Sequence, residues 1–491
     1  MLLFTHSYFY RFDAKQWRTA KPYPPYGTMY AAGFMRQNGY EVAIFDTGLA
    51  HSAADLHPHL QKHQPKYLVI YDDGFNYLTK MCLTTMRQAA FDMAEMGKKQ
   101  GCTVIVCSSD STDHCEAYLR AGADFVLLGE GELTLLELVK TLEKNQPIDA
   151  NILSGIMGLA YLHPENKNTV VKTLKRPILR NLDEIANPAW DLIDVLPYRK
   201  IWLQNHGYFS LNMATTRGCP FKCNWCAKPI YGNRYNSRSP QRVAQELVFL
   251  KNNLGANHIW MSDDIFGLKP GWVEEFSHYV QEYACKTPFK IQSRVDLLLE
   301  ANTIDALIKA GLEEVWVGAE SGSQKILDAM DKGTTVEQIF EATKLLKTKG
   351  VKVCFFLQFG YLGETRSDID KTITMLLNLL PDDIGVSVSY PLPGTKFYET
   401  VKNTMLAKQN WTDSDDLELM YNGTYGAAFY KRLHRFVHKK YRQKQGLSVW
   451  QKILTNPLKI KATDLKPMAS LPYYTIGSMF DAWHLNKLVK T

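Results

Sequence analysis

The chain has 491 residues, of which 45% are hydrophobic and 22% charged, a balance that excludes a disordered or fibrous protein and allows several buried cores without disulfide staples. A net charge of +7 spread over this length gives no reason to expect nucleic acid as a partner. Met1 to Arg11 has no basic start followed by a long apolar stretch, and no later run reaches about eighteen apolar residues, so the expected location is cytoplasmic.

Apolar runs at Leu2 to Phe4, Glu41 to Asp46, Tyr67 to Tyr71, Thr103 to Cys107 and Phe125 to Leu128 alternate with stretches of helical spacing such as Gly27 to Arg36, Leu83 to Met96 and Leu133 to Leu142. Five such units predict a doubly wound, Rossmann-like α/β domain over 1–146, which binds ligands beyond the carboxyl ends of its strands. The stretch 147–200, with Arg176-Pro177, Asn187-Pro188 and Leu196-Pro197, reads as a surface connector. A second series follows at Leu211 to Ala214, His258 to Ser262, Lys290 to Ser293, Glu314 to Gly318, Lys352 to Phe359 and Ile384 to Tyr390. These six units predict an incomplete (β/α)6 barrel over 201–398 whose working residues project from the strand ends. The remainder, 399–491, is mostly helical and basic, with Leu433, Phe436, Val437 and Tyr441 on one stripe and Lys431, Arg432, Arg435, Lys439, Lys440, Arg442 and Lys444 on the other faces. That pattern suits a surface helix, a peripheral membrane contact or a clamp for a carboxylated substrate.

Three of the nine cysteines lie within eight residues, in Gly218-Cys219-Pro220-Phe221-Lys222-Cys223-Asn224-Trp225-Cys226, directly after a strand. Cys82, Cys102, Cys107, Cys115, Cys285 and Cys354 are scattered in apolar surroundings and read as buried thiols. Thiolate sulfur suits an iron–sulfur cluster. Three ligands on a 4Fe-4S cubane leave one iron open for the amino and carboxylate groups of S-adenosylmethionine, whose reductive cleavage yields a 5'-deoxyadenosyl radical. Zinc is the rival, but it calls for a fourth cysteine or histidine at short spacing, and none follows before His258.

This CxxxCxxC loop, with an aromatic residue before its last cysteine, resembles the radical S-adenosylmethionine superfamily over about 212–395. The resemblance implies that Asp264, in Ser262-Asp263-Asp264, holds the methionine amino group, that Ser293 and Arg294 address its carboxylate, and that Glu320 accepts from the ribose hydroxyls. Gly360, within Gln358 to Gly363, and the run Pro391 to Thr395 complete the strand-end set.

The front domain, through Tyr23-Pro24-Pro25-Tyr26-Gly27, Asp46-Thr47-Gly48 and Ala123 to Glu132, resembles the cobalamin-binding class of these enzymes. Gly27, Ser108, Ser109 and Gly129 are its implied cofactor contacts. No DxHxxG motif is present, so no histidine ligand to cobalt is expected, and the isolated His114 reads as a surface histidine at a helix start. Ser387 to Tyr398, Asn410 to Leu417 and Tyr425 to Tyr441 resemble the anaerobic magnesium-protoporphyrin IX monomethyl ester oxidative cyclase family. That resemblance implies oxygen-independent ring closure on a porphyrin ester, with electrons from a reducing protein such as flavodoxin or ferredoxin. A cobalamin-dependent methylase acting on an unactivated carbon of a lipid or natural product carries the same cofactor motifs, and a non-catalytic cobalamin or redox sensor is the third reading.

Overall fold

The computed structural model describes residues 1–81, 83–144, 150–226, 228, 230–408, 410–455 and 462–489. Cys82 and Pro147, the latter at the start of the expected connector, lie outside them. In the front part, strands β1 (Leu2–Thr5), β2 (Val42–Phe45), β3 (Tyr67–Tyr71), β4 (Thr103–Cys107) and β5 (Phe125–Leu127) pair in parallel in the order β2-β1-β3-β4-β5. This is a doubly wound order whose direction reverses between β1 and β3. Strands such as Tyr67–Tyr71 are buried throughout, which is why they read as unbroken apolar runs.

The stretch read as a connector departs from expectation. Within it, β6 (Leu159–Leu162) and β7 (Val170–Lys172) continue the first sheet antiparallel to β5, making seven strands among the described residues. Only the later part, with Leu182–Glu184 and Trp190–Leu192 as single 3-10 turns, runs as a connector.

The second sheet contains β8 (Ser210–Met213), then, after the small antiparallel pair β9 (Thr216–Arg217) and β10 (Asn236–Ser237), β11 (His258–Met261), β12 (Phe289–Ser293), β13 (Leu312–Glu320), β14 (Lys352–Phe359) and β15 (Asp383–Val388). All six neighbours pair in parallel in simple sequence order from β8 to β15, an open half barrel. Its two faces differ sharply. Leu211, Ile259, Ile291, Val315, Val317, Phe355 and Leu357 are buried on the side that packs under the helices. The opposite face carries, in register, Asn212, Trp260, Lys290 and Glu314 at one level and Gln292 with Trp316 at the next. A core filler would be apolar there; this face lines a chamber.

Other parts of the chain close the open edges of the half barrel. Asn212 Nδ2 donates to the Pro24 carbonyl at 3.1 Å beside β8, and Tyr441 Oη donates to the Pro381 carbonyl at 2.6 Å beside β15. Tyr441 belongs to the helix Ala427–Thr455, which buries the expected stripe of Leu433, Phe436, Val437 and Tyr441. A further helix, Leu471–Leu488, packs against it, and its fully buried Asp481 takes Arg432 and Lys439 at 2.8 Å each. Two of the basic side chains are therefore committed inward.

Candidate active site

The loop after β8 is fixed before any cofactor is considered. Asp263, buried at the end of β11, accepts from the backbone N–H and the hydroxyl of both Thr215 and Thr216 at 2.6–3.0 Å. All its acceptor capacity is spent on the loop, which leaves Asp264 as the acidic residue of that pair on the cavity wall. Gly218 adopts φ +79°, and a Cβ there would collide with the Arg234 carbonyl, so only glycine fits before Cys219. On the far side, Asn224 holds the loop to the segment after β13: its N–H donates to the Met330 carbonyl at 3.0 Å and its side chain to the Ala329 carbonyl at 2.7 Å. Tyr361 Oη donates to Asn224 Oδ1 at 2.7 Å.

Cys219, Cys223 and Cys226 line one open cavity of about 220 Å³. Their sulfurs do not converge with other ligands on a point that a single ion would occupy, among the described residues. A cubane takes one thiolate at each of three separate irons, and three thiolates from one loop are the soft donor set it needs. Burial pushes the Cys219 thiol up and that of Cys226 to about 12; iron must displace those protons, so cluster assembly is coupled to proton release.

The expected strand-end residues meet at this cavity. Asp264, Ser293, Arg294 and Glu320 all lie on its wall, with Gln292, Trp316 and Phe356 deeper. Arg294 lies over the Phe221 ring at 3.7 Å and donates to Asp296 and to the Lys332 carbonyl. Glu320 sits at a register shift in β13 with φ +56°, a conformation that an L-residue adopts only when its surroundings impose it. Its partner is Lys332, whose ammonium lies 2.8 Å from Glu320 Oε1 with both side chains buried. Burial works against the Lys332 charge, but Glu320 and Cys223 together outweigh it and the net pKa is raised. Gly318 makes the room, because a Cβ there would lie 2.5 Å from Lys332 Nζ and 2.6 Å from Glu320 Oε1. Lys332 was not expected; no local pattern around Asp331-Lys332-Gly333 marks it.

The front domain contributes to the same cavity. Lys80 donates to Asp264 Oδ1 at 2.6 Å, and Ser109 is on the wall. A much smaller void of about 10 Å³, at the carboxyl ends of β3 and β4, is lined by Asp72, Asp73, Cys107, Ser108 and Ser109 and adjoins the first along Ser109, Ile230 and Tyr231. Ser108 also caps the turn Ser109–Asp113.

The three expected glycines are placed otherwise, none of them on either cavity wall. Gly27 donates to Asp73 Oδ1 at 3.1 Å, and that residue fills the space a side chain would need. Gly129 takes Thr112 Oγ1 as its acceptor at 3.2 Å. Gly360 donates to Glu364 at 2.7 Å, accepts from Tyr421 Oη and packs against Tyr430. His114 is likewise off both walls and begins the helix Cys115–Arg120.

A buried ion-pair triad joins the front domain, just after β5, to β9 directly beside the cysteine loop. Arg217 Nη1 donates to Glu130 at 2.5 Å and Nη2 to Glu132 at 2.7 Å, with all three side chains at most 6% exposed. The guanidinium is packed among the rings of Tyr30, Phe75 and Tyr231 at 5.3–5.6 Å. Burial pushes the Glu130 carboxyl up, with Arg217 opposing.

Comparison with known proteins gives three findings. The family model described as "Radical SAM superfamily" matches residues 213–376. The chain is 30% identical over 396 residues to an uncharacterized methyltransferase of Pyrococcus horikoshii, covering 79% of this chain and 81% of that protein, and 26% identical over 403 residues to the anaerobic magnesium-protoporphyrin IX monomethyl ester cyclase of Rubrivivax gelatinosus, covering 81% and 69%. Among solved structures, a radical S-adenosylmethionine methyltransferase, TsrM, from Kitasatospora setae, with cobalamin and a 4Fe-4S cluster bound, shares the fold at a TM-score of 0.66 and 17% identity, covering 82% of this chain and 74% of that one.

Proposed function

We propose that this chain, which belongs to the radical SAM superfamily, combines a 4Fe-4S cluster and S-adenosylmethionine with cobalamin to functionalise an unactivated carbon of a small molecule. The observation that carries this reading is the single cavity bounded by three cysteines, the polar ends of β11, β12 and β13, and Ser109 of the front domain. When bound, the cluster and S-adenosylmethionine supply a 5'-deoxyadenosyl radical.

The roles of the chain's own groups follow. Cys219, Cys223 and Cys226 hold the cluster. Asp264, kept beside Lys80, accepts from the methionine amino group, while Ser293 and Arg294 face its carboxylate. Glu320, its charge balanced by Lys332, accepts from the ribose hydroxyls. Gln292, Trp316 and Phe356 present the substrate and keep water from the reacting centre. Cobalamin would be held on the turn Ser108 to Ser111, because Ser109 borders both voids.

The reaction we favour is oxygen-independent oxidative cyclisation of a tetrapyrrole ester, supported by the aromatic walls of the chamber and by the similarity to the Rubrivivax gelatinosus cyclase. Transfer of a methyl group to carbon is the second reading, favoured by the similarity to the Pyrococcus horikoshii methyltransferase. Anaerobic reconstitution with iron, sulfide and cobalamin, reduction by flavodoxin or ferredoxin, and mass spectrometry of products with candidate tetrapyrrole esters separate them. A cyclase yields 5'-deoxyadenosine and methionine, whereas a methylase also yields S-adenosylhomocysteine; absence of S-adenosylmethionine cleavage refutes both.

Peripheral membrane contact also gains support. No helix among the described residues is long and apolar enough to cross a membrane, but Tyr473, Ile476, Met479, Phe480 and Trp483 of the last helix are each more than half exposed, with the exposed Lys466 and Lys487 beside them. An apolar face with aromatic and cationic borders suits an anionic bilayer surface. Flotation with phosphatidylglycerol vesicles and not with phosphatidylcholine vesicles is the expected result.

A further inference from the structure

Two residues on the wall of the cysteine cavity, Lys80 and Ser109, come from the front domain. Lys80 ends the short helix Tyr77–Lys80, which is mounted on the end of β3. Asn76 caps that helix by accepting from the Leu78 N–H at 3.0 Å, and Thr79 Oγ1 donates to the Asn76 carbonyl at 2.8 Å and to the Asp73 carbonyl. The Asp73 carboxylate accepts in turn from the N–H groups of Tyr26, Gly27 and Phe75 at 2.9–3.2 Å. From this fixed base the Lys80 ammonium reaches across the domain boundary and donates to Asp264 Oδ1 at 2.6 Å.

As a tie between domains this pair does little. Its side chains are 25% and 34% exposed, and ion pairs in contact with water add little stability. Nor does the cysteine loop depend on it, because Asp263 already holds Thr215 and Thr216. The other cations on the wall are committed elsewhere. All three nitrogens of Arg294 donate to protein acceptors: Nε to Asp296 at 3.0 Å, Nη1 to the Lys332 carbonyl at 2.8 Å and Nη2 to Asp296 at 3.0 Å. Lys332 is buried against Glu320, and Lys228 donates to the Phe221 carbonyl and to Asn233 Oδ1 at 2.9 Å. Among the described residues, Lys80 with Asp264 is the ion pair of this wall that leaves both members partly open to the cavity.

We propose that Lys80 and Asp264 together receive the zwitterionic end of S-adenosylmethionine, its carboxylate on Lys80 and its ammonium on Asp264, so that the front domain completes a site otherwise built by the half barrel. The pair carries no net charge and neither does an α-amino-acid end; each charge meets its opposite, and neither partner is left uncompensated. Arg294, with its donors spent, shapes the wall beside Ser293 and leaves the ion pairing to Lys80. Lys80 lies far outside the stretch 213–376 that matches the family model, so no motif of the barrel marks it. The inference rests on the proposed function in taking this cavity as the place of S-adenosylmethionine.

The test uses the full chain loaded with its cluster, in anaerobic equilibrium dialysis with two probes: S-adenosylmethionine and its decarboxylated analogue, which keeps the amino group. Lys80→Met weakens S-adenosylmethionine by about tenfold or more, the range for a hydrogen bond to a charged group, and leaves the analogue unchanged, whereas Asp264→Asn weakens both. Lys80→Met still weakens S-adenosylmethionine when placed in the Asp264→Asn chain, which separates a direct contact from one exerted through Asp264; this double variant decides the matter where the analogue binds too weakly to measure. Thermal melting accompanies each variant and stays unchanged, as the exposure of the pair requires. Indifference of S-adenosylmethionine to Lys80→Met, equal weakening of both probes, no further effect in the Asp264→Asn chain, or a carboxylate-selective loss in Lys228→Met and not in Lys80→Met overturns the proposal and leaves the proposed function standing. Failure of the unmodified protein to bind S-adenosylmethionine at all takes down both.

Discussion

Arg217→Met removes the only cation between Glu130 and Glu132 among the described residues. The three side chains are 3%, 6% and 2% exposed, so water does not replace the lost partner and the two carboxylates are left facing each other in a low-dielectric site. Breaking a buried pair by removing one member costs about 3–5 kcal/mol, because the remaining charge is uncompensated. For a cooperative unit of 150–250 residues, each kcal/mol corresponds to about 2–4 °C, so a fall in Tm of roughly 6–20 °C is expected by calorimetry of the cluster-loaded protein. The cost also has a pH signature. With the cation gone, nothing opposes the burial that already pushes Glu130 up; the folded variant then binds an extra proton, and its deficit shrinks as pH falls from 8 to 6. Restoring neutrality with Glu130→Gln and Glu132→Gln in the same chain recovers most of the loss. A deficit below about 1 kcal/mol, or one that does not respond to pH, would show that water reaches the triad and would refute the reasoning.

Three further outcomes are expected. Cys223→Ala abolishes the visible cluster absorbance and S-adenosylmethionine cleavage, while Cys354→Ala, a thiol buried on β14 away from the loop, retains both. Lys332→Met leaves Glu320 buried without its counter-charge and lowers stability by about 3–5 kcal/mol, with S-adenosylmethionine affinity, measured by dialysis, weakened about tenfold. Since the Lys332 pKa is raised in the folded protein, the pair's stabilisation is fully present below the ordinary lysine value and is lost only as pH rises through the folded one, so the unmodified protein keeps this contribution unchanged between pH 6 and 9. Burial pushes Glu364 up to about 8; its favourable contribution is present below the unfolded glutamate value and is lost as pH rises through about 8, a slope of at most about 5 kcal/mol. Urea unfolding at a series of pH values should show that slope flattened in Glu364→Gln.

The front strands were legible because parallel strands covered on both sides read as apolar runs, as in Thr103–Cys107, and those of the half barrel because their helix-covered face stays apolar, as in Phe289–Ser293. β6 and β7 escaped notice because they are an antiparallel extension with no helix between them, β7 is partly exposed, and the Pro164 to Asn168 turn resembles linker composition. At the site, Asp264, Ser293, Arg294 and Glu320 were legible because strand ends in such a sheet share one rim. Gly27, Gly129 and Gly360 were less so. A glycine signals only a close approach or a positive φ, and here these are Asp73 at Gly27, Tyr430 at Gly360 and a φ of +80° at Gly129. The Arg217 triad joins residues 85 and 87 positions apart, a separation at which no periodicity or motif spacing operates.

The one-sided apolar character of the six-stranded sheet bears on how such a protein diversifies. The staves that would complete the cylinder are supplied from elsewhere, by the Lys21 to Pro24 loop at β8 and by the helix around Tyr441 at β15. A duplicated gene could therefore rework these two borrowed walls, altering the size and polarity of the vessel, while the cysteine loop and its Asp263 tether stay untouched. Chemistry and cargo are written on separate stretches of the polypeptide, and selection can act on one without disturbing the other.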